Sequence, residues 1–142
     1  MKQSVILTVA SMLMIVLSSL HLADDIVLGF EKGGPSDLVV VPMMVLLLYA
    51  TLVLAERRSG YVIILLGSLL GAYVPVLHFK GAAGVAGGRL ANSSGAFFFV
   101  WTLLALGVCA VFSAILSARG LWRGFASRTR TMAPSVMAPD RE

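Results

Sequence analysis

The chain has 142 residues, of which 58% are hydrophobic and 13% charged, whereas roughly 25% of the residues of a typical soluble domain are charged. So few charged side chains cannot build a water-soluble surface, and the composition predicts an all-α integral membrane protein. The net charge of +4 would suggest nucleic-acid binding in a soluble protein. Basic residues that flank membrane spans explain the same excess, so we expect no nucleic-acid partner.

Four stretches of the chain contain no Asp, Glu, Lys or Arg, and each is long enough to cross a hydrocarbon core of ~30 Å as a helix. They predict transmembrane helices at about 3–23, 38–56, 60–79 and 96–118. Helices joined in series in this way favour an antiparallel four-helix bundle over residues 1–117. Residues 119–142 lose the apolar pattern, which predicts a basic, disordered tail.

Basic residues lie mainly on one side of the predicted membrane. Seven of them fall on the side of the N-terminus, namely Lys2, Arg57, Arg58, Arg119, Arg123, Arg128 and Arg130. The other side holds Lys32, Lys80 and Arg89. Because segments rich in Lys and Arg stay in the cytoplasm, we predict a multi-pass protein of the cell membrane with both termini, and therefore the tail, in the cytoplasm.

The first span also resembles a secretory signal peptide, because Lys2 precedes an apolar run that ends near Ser18 and Ala23. Cleavage after Ala23 would place His21 at a position where a small residue is required. We therefore expect the first helix to be retained. Cleavage would leave three spans in the same orientation.

Small and polar residues recur at helical spacing within the spans. Gly67 and Gly71 lie four residues apart in the third span, and Ser11 and Ser18 lie seven apart in the first. Small residues allow membrane helices to approach closely, so these four are predicted to be helix-packing residues. The single cysteine, Cys109, has no second thiol for a disulfide or metal site, and we expect it to pack in the same way.

The sequence contains no motif that identifies a reaction. No Asp, Glu, Lys or Arg lies within a span, where such residues usually mark ion pathways. A phosphate-binding glycine loop and a zinc-protease motif are also absent from the sequence. We therefore predict no catalytic residues and a non-enzymatic accessory protein without a cofactor. Its expected partners are the lipid bilayer and another membrane protein or a second copy of the chain.

One group of residues supports an alternative function. His21, Asp24 and Asp25 close the first span, and His78 closes the third span on the same side of the membrane. Two imidazoles with a carboxylate can bind a divalent metal ion, and two opposed imidazoles can bind haem. Hydrated residues at helix ends would show the same pattern. A shared site requires the two histidines to lie within about 10 Å of each other, with one aspartate directed inward.

Overall fold

The computed structural model describes residues 3–31, 33–79 and 95–131. These residues form four helices: α1 (Gln3–Val27), α2 (Val40–Leu52), α3 (Arg58–Phe79) and α4 (Ala96–Thr131). A 3₁₀ turn, Pro35–Val39, precedes α2. The described part of the chain contains no strand, so the prediction of an all-α protein with four helices is confirmed. Of the predicted outer basic residues, Lys32, Lys80 and Arg89 lie outside the described residues.

The predicted end of α1 at residue 23 is wrong, because the helix continues to Val27. Asp24 and Asp25 are charged but compatible with a helix, so the apolar run ends before the helix does. The helix stops where Gly29 adopts a positive φ of 75°. The amide of Phe30 then donates to the Asp25 carbonyl at 2.8 Å, as at many glycine-ended helices. Both aspartates therefore remain in the last turn of α1.

The second helix differs most from its predicted bounds of 38–56. Regular α-helix covers the 13 residues from Val40 to Leu52, which corresponds to about 20 Å of axial rise. The preceding 3₁₀ turn of five residues adds about 10 Å. The helix ends early because Glu56 adopts a positive φ of 68° in the connection to α3. A Cβ at position 60 would collide with the Leu54 carbonyl, so glycine is required there.

The last helix is longer than predicted. It runs for 36 residues to Thr131, so its predicted end at 118 is wrong, and residues 119–131 are helical where we expected a disordered tail. No proline interrupts this segment, and the start of α3 supports it. Arg58 donates to the Gly124 carbonyl, and Gly120 lies so close to the Tyr61 ring that a Cβ would overlap it. Residues 132–142 of the predicted tail lie outside the described residues.

The helices pack side by side with α4 along α3 and α1, and with α2 against the opposite side of α3 and α1. Gln3 at the start of α1 donates to the Leu116 carbonyl of α4 at 3.0 Å, while Thr102 near the start of α4 reaches Asp24 at the end of α1. These contacts show that α1 and α4 run in opposite directions. The core includes Ile64, Leu106 and other buried residues, namely Leu7, Met14, Leu47, Ala50, Phe99, Leu103, Ala110 and Leu116.

Three described segments are long and apolar enough to cross a membrane: α1, α3 and the Ala96–Gly124 part of α4. The outward faces of all four helices are also apolar. On α3, for example, Leu66, Leu69 and Tyr73 are more than half exposed. Large apolar side chains on an outer surface are typical of helices surrounded by lipid. The fold is therefore compatible with a membrane protein.

Candidate metal centre

The two histidines lie together at one end of the helices. His21 is nearly two turns before the end of α1 at Val27, and His78 is in the last turn of α3. Since α1 and α3 run in the same direction, their ends lie at the same level. The imidazole centroids are 4.8 Å apart with an interplanar angle of 76°. His21 is 3% exposed, so one ring is almost fully enclosed.

Asp25 completes the group because it lies one helical turn after His21, on the same face of α1. Its Oδ2 is 3.7 Å from His21 Nε2, and its Oδ1 is 3.3 Å from His78 Nε2. Asp24 is directed elsewhere. Its Oδ2 lies 3.4 Å from Thr102 Oγ1 of α4, a hydroxyl that also has the Phe98 and Phe99 carbonyls as closer acceptors at 3.0 Å. The structure thus brings together His21, Asp25 and His78, and it separates Asp24 from them.

The tautomer of His78 follows from its contact with the backbone. Its Nδ1 lies 3.0 Å from the Val74 carbonyl, which can only accept a hydrogen bond, so Nδ1 carries the proton. In the neutral ring Nε2 then holds a lone pair, and this lone pair faces the carboxylate of Asp25. Two acceptors at 3.3 Å repel each other. A proton or a metal ion between them would convert this repulsion into attraction.

Several buried polar atoms at this site lack a hydrogen-bond partner within the described part of the chain. They are Nδ1 and Nε2 of His21, together with Oδ1 of Asp25 apart from its 3.3 Å contact with His78 Nε2. An unsatisfied buried polar group costs about 1–3 kcal/mol, and native structures rarely retain one without a functional reason. These atoms are available to a ligand, although the buried hydroxyls of Ser11, Ser68, Ser113 and Ser117 also have no hydrogen-bond partner within the described residues.

The distances suit a single ion. Donors at about 2.0–2.1 Å from a tetrahedral metal are about 3.4 Å apart, and the histidine nitrogens lie 3.3 and 3.7 Å from Asp25, each from a different carboxylate oxygen. One donor atom from each of His21, Asp25 and His78 lies within 4.8 Å of the other two. Small rotations of the imidazoles would bring all three into coordination. Three protein ligands leave one position of a tetrahedral ion open.

An aromatic side chain that the sequence analysis did not identify forms one wall of the site. Phe99, in the first turn of α4, is fully buried. Its ring centroid lies 4.7 Å from that of His21 and 5.5 Å from that of His78. Phe30 lies behind it, with a centroid separation of 5.6 Å. These rings exclude water from one side of the histidine pair and restrict the positions that the imidazoles can adopt.

The haem alternative does not fit this geometry. Two axial histidines bind haem iron from opposite faces of the porphyrin. Here the imidazoles of His21 and His78 are in edge-to-face contact, and Phe99 touches both. No space is left between the rings for a porphyrin plane. A single metal ion needs no such space.

The predicted packing residues lie between helices. Gly67 faces Leu47 of α2, where a Cβ would overlap the leucine side chain. A Cβ at Gly71 would lie 3.3 Å from the Cβ of Ala110 in α4. Ser11 is fully buried, whereas Ser18 is partly buried. Cys109 is a free, partly buried thiol beside the cluster around Leu106.

No protein-family model, curated protein or solved structure matches the chain.

Proposed function

We propose that the protein is a polytopic membrane protein whose helices form an antiparallel bundle that binds one transition-metal ion. The ligands are His21, Asp25 and His78. The observation that carries this proposal is the buried His21, whose two ring nitrogens lack hydrogen-bond partners within the described residues, beside an Asp25 carboxylate that also contacts His78. This donor set suits Zn²⁺, Cu⁺, Fe²⁺ and similar ions better than Mg²⁺ or Ca²⁺, which prefer oxygen ligands.

The surroundings of the ligands support metal binding. Ligating histidines commonly donate their second ring N–H to a carbonyl, which orients the ring. His78 makes this contact through Nδ1 to the Val74 carbonyl, so Nε2 is available to the metal. Phe99 supplies an apolar wall that excludes water. His78 Nε2 is therefore already oriented as a ligand, and Phe99 already shields one side of the site from water, before any ion binds.

The positive-inside rule places the site on the extracytoplasmic side, with both termini in the cytoplasm. In this topology the seven basic residues of the inner side face anionic lipid headgroups. Fusing a reporter that is active only in the cytoplasm to residue 142 tests this orientation. We expect a signal from the fusion, whereas a silent fusion of a stably inserted protein would reverse the topology.

Metal binding can be measured on the full chain purified in detergent and treated with a chelator. Titration with Co²⁺ should give the visible absorption of a low-coordinate site at one ion per chain, and Zn²⁺ should displace it. His21→Ala, His78→Ala and Asp25→Asn should each weaken binding by more than the roughly 10–100-fold typical of residues that only support a ligand. Asp24→Asn is the matched control, because Asp24 faces Thr102, and it should bind like the parent.

The fold of each variant is checked separately through the accessibility of Cys109 to an alkylating reagent during heating. Folded variants without metal binding support the proposal. Unchanged affinity in His21→Ala and His78→Ala would contradict it, as would a parent protein that binds no transition metal. The predicted accessory role in contact with lipid or another membrane protein would then be the remaining function.

A further inference from the structure

An elongated cavity of about 230 Å³ adjoins the three metal ligands. It lies between α1, α2 and α3, and His21, Asp25 and His78 are part of its lining. On α1 the lining extends from Met14 to Asp25, and on α3 from Gly67 to His78. Each of these segments has twelve residues, whose first and last Cα atoms are about 16 Å apart along a helix axis. The polar ligands are therefore at one end of a long, otherwise mainly apolar cavity.

Methionine is concentrated in the wall of this cavity. The structure describes four methionines, and three of them, Met14, Met43 and Met44, line the cavity. Met12 does not belong to the lining. On α2 the lining residues Val40, Met43, Met44 and Leu47 follow the three- and four-residue spacing of one helix face. Methionine side chains thus line the cavity from two helices, α1 and α2, and the Met44 sulfur also accepts a 3.4 Å contact from the Ser19 hydroxyl.

We propose that the ion taken by this site is copper(I), and that the methionine-lined cavity is the chamber through which it reaches His21, Asp25 and His78. This inference rests on the metal-binding function proposed above. Thioethers are soft ligands that select Cu⁺ over harder cations, whereas imidazole binds several transition metals. A row of weak, neutral thioether ligands can pass a soft ion along the cavity without holding it tightly.

Competition between Cu⁺ and Zn²⁺ tests the proposal. The full chain is studied without oxygen in detergent, with Cys109→Ser as background so that no thiol binds copper. A chromophoric Cu⁺ chelator and a Zn²⁺ indicator report the two affinities. We expect the parent to hold Cu⁺ at least ten times more tightly than Zn²⁺.

The methionines are tested by the triple variant Met14→Leu, Met43→Leu and Met44→Leu, in which leucine preserves the apolar volume. We expect Cu⁺ uptake to slow or weaken at least tenfold, while Zn²⁺ affinity stays within twofold. Met12→Leu is the matched control and should behave like the parent. Retention of Zn²⁺ affinity also shows that the triple variant is folded, and the three single variants replace it if it is not.

The outcomes separate this inference from the function on which it rests. Preference for Zn²⁺, or equal Cu⁺ uptake by the triple variant and the parent, would overturn the copper proposal and leave the metal site intact. Failure of the parent to bind either ion would overturn both. Loss of Cu⁺ binding in Met12→Leu alone would place the thioether ligand outside the cavity and also contradict the proposal.

Discussion

Replacing Gly107 by alanine tests the contact between α3 and α4. A Cβ at this position would lie 2.9 Å from Pro75 Cγ. Non-bonded carbons are most stable at about 3.5–4.0 Å, so the two helices must separate by roughly 0.6 Å at this point. Neither group can move away by rotation, because the methyl group is attached to the helix backbone and the proline side chain is a closed ring.

Two opposing effects determine the stability of Gly107→Ala. Alanine in a helix interior is favoured over glycine by about 1 kcal/mol, while inserting an extra carbon into a packed interface costs about 1–3 kcal/mol. Because the clash involves two rigid groups, we expect the packing cost to exceed the helix-forming gain. The free energy of unfolding should fall by up to about 2 kcal/mol.

Gly124→Ala provides a matched control in the same helix. A Cβ there would lie 3.6 Å from Arg58 Nε, which is an ordinary van der Waals contact, so only the helix-forming gain remains. We expect Gly124→Ala to raise the free energy of unfolding by up to about 1 kcal/mol. The same chemical change should thus have opposite signs at two positions of α4.

The measurement is the rate of Cys109 alkylation as the mole fraction of SDS in mixed micelles is raised. The rate before SDS is added corrects for any change in the native accessibility of the thiol. A second substitution, Pro75→Ala, removes the ring and should restore much of the stability lost in Gly107→Ala. Equal stabilisation by alanine at positions 107 and 124 would refute the α3–α4 contact described above.

Two further substitutions test the end of the molecule that holds the histidines. Phe99→Ala should lower the free energy of unfolding by about 3 kcal/mol, the lower end of the range for buried phenylalanine. The variant should also bind metal more weakly than the parent. A Co²⁺ affinity equal to that of the parent would show that the aromatic wall is dispensable. Gly29→Ala should lower the free energy of unfolding by about 1 kcal/mol, the cost of placing a non-glycine residue in the left-handed backbone conformation at φ 75°. A Cβ at this position would meet no neighbouring atom, so no steric clash adds to this cost. Unchanged stability in the SDS titration would contradict the glycine-ended structure of α1.

The general arrangement of the helices could be predicted because lipid-facing helices need long uncharged runs. Their exact ends could not. Charge stops an apolar run but leaves helix formation possible, so α1 includes Asp24 and Asp25 and α4 continues through Arg119 and Arg123. Gly29, just after α1, and Glu56, in the connection between α2 and α3, both have a positive φ. These two conformations mark where the regular helices give way to a turn. Hydropathy carries no information about either conformation.

The proximity of His21 and His78 was predictable from topology, because both residues end helices that run in the same direction. The choice between the two aspartates was not. Asp24 and Asp25 lie three and four residues after His21, and both positions share its helix face. In the structure Asp24 lies on the side of Thr102 in α4, whereas Asp25 contacts both histidines. Phe99 could have been identified from its place in the first turn of an antiparallel helix, which puts it at the level of both histidines.

The 3₁₀ turn before α2 has a consequence for the lipid around the protein. Its hydrogen bonds have poorer geometry than those of an α-helix, and Leu38 and Val39 of the turn are exposed. Acyl chains offer no hydrogen bonds to a backbone that is imperfectly paired, so in the proposed bilayer location headgroup and water oxygens would be drawn toward this flank of the protein. The resulting hydrated notch would lie directly above Val40, the first α2 residue in the cavity wall. Entry of a cation at this flank would then depend on backbone polarity and on the surrounding ring of lipids.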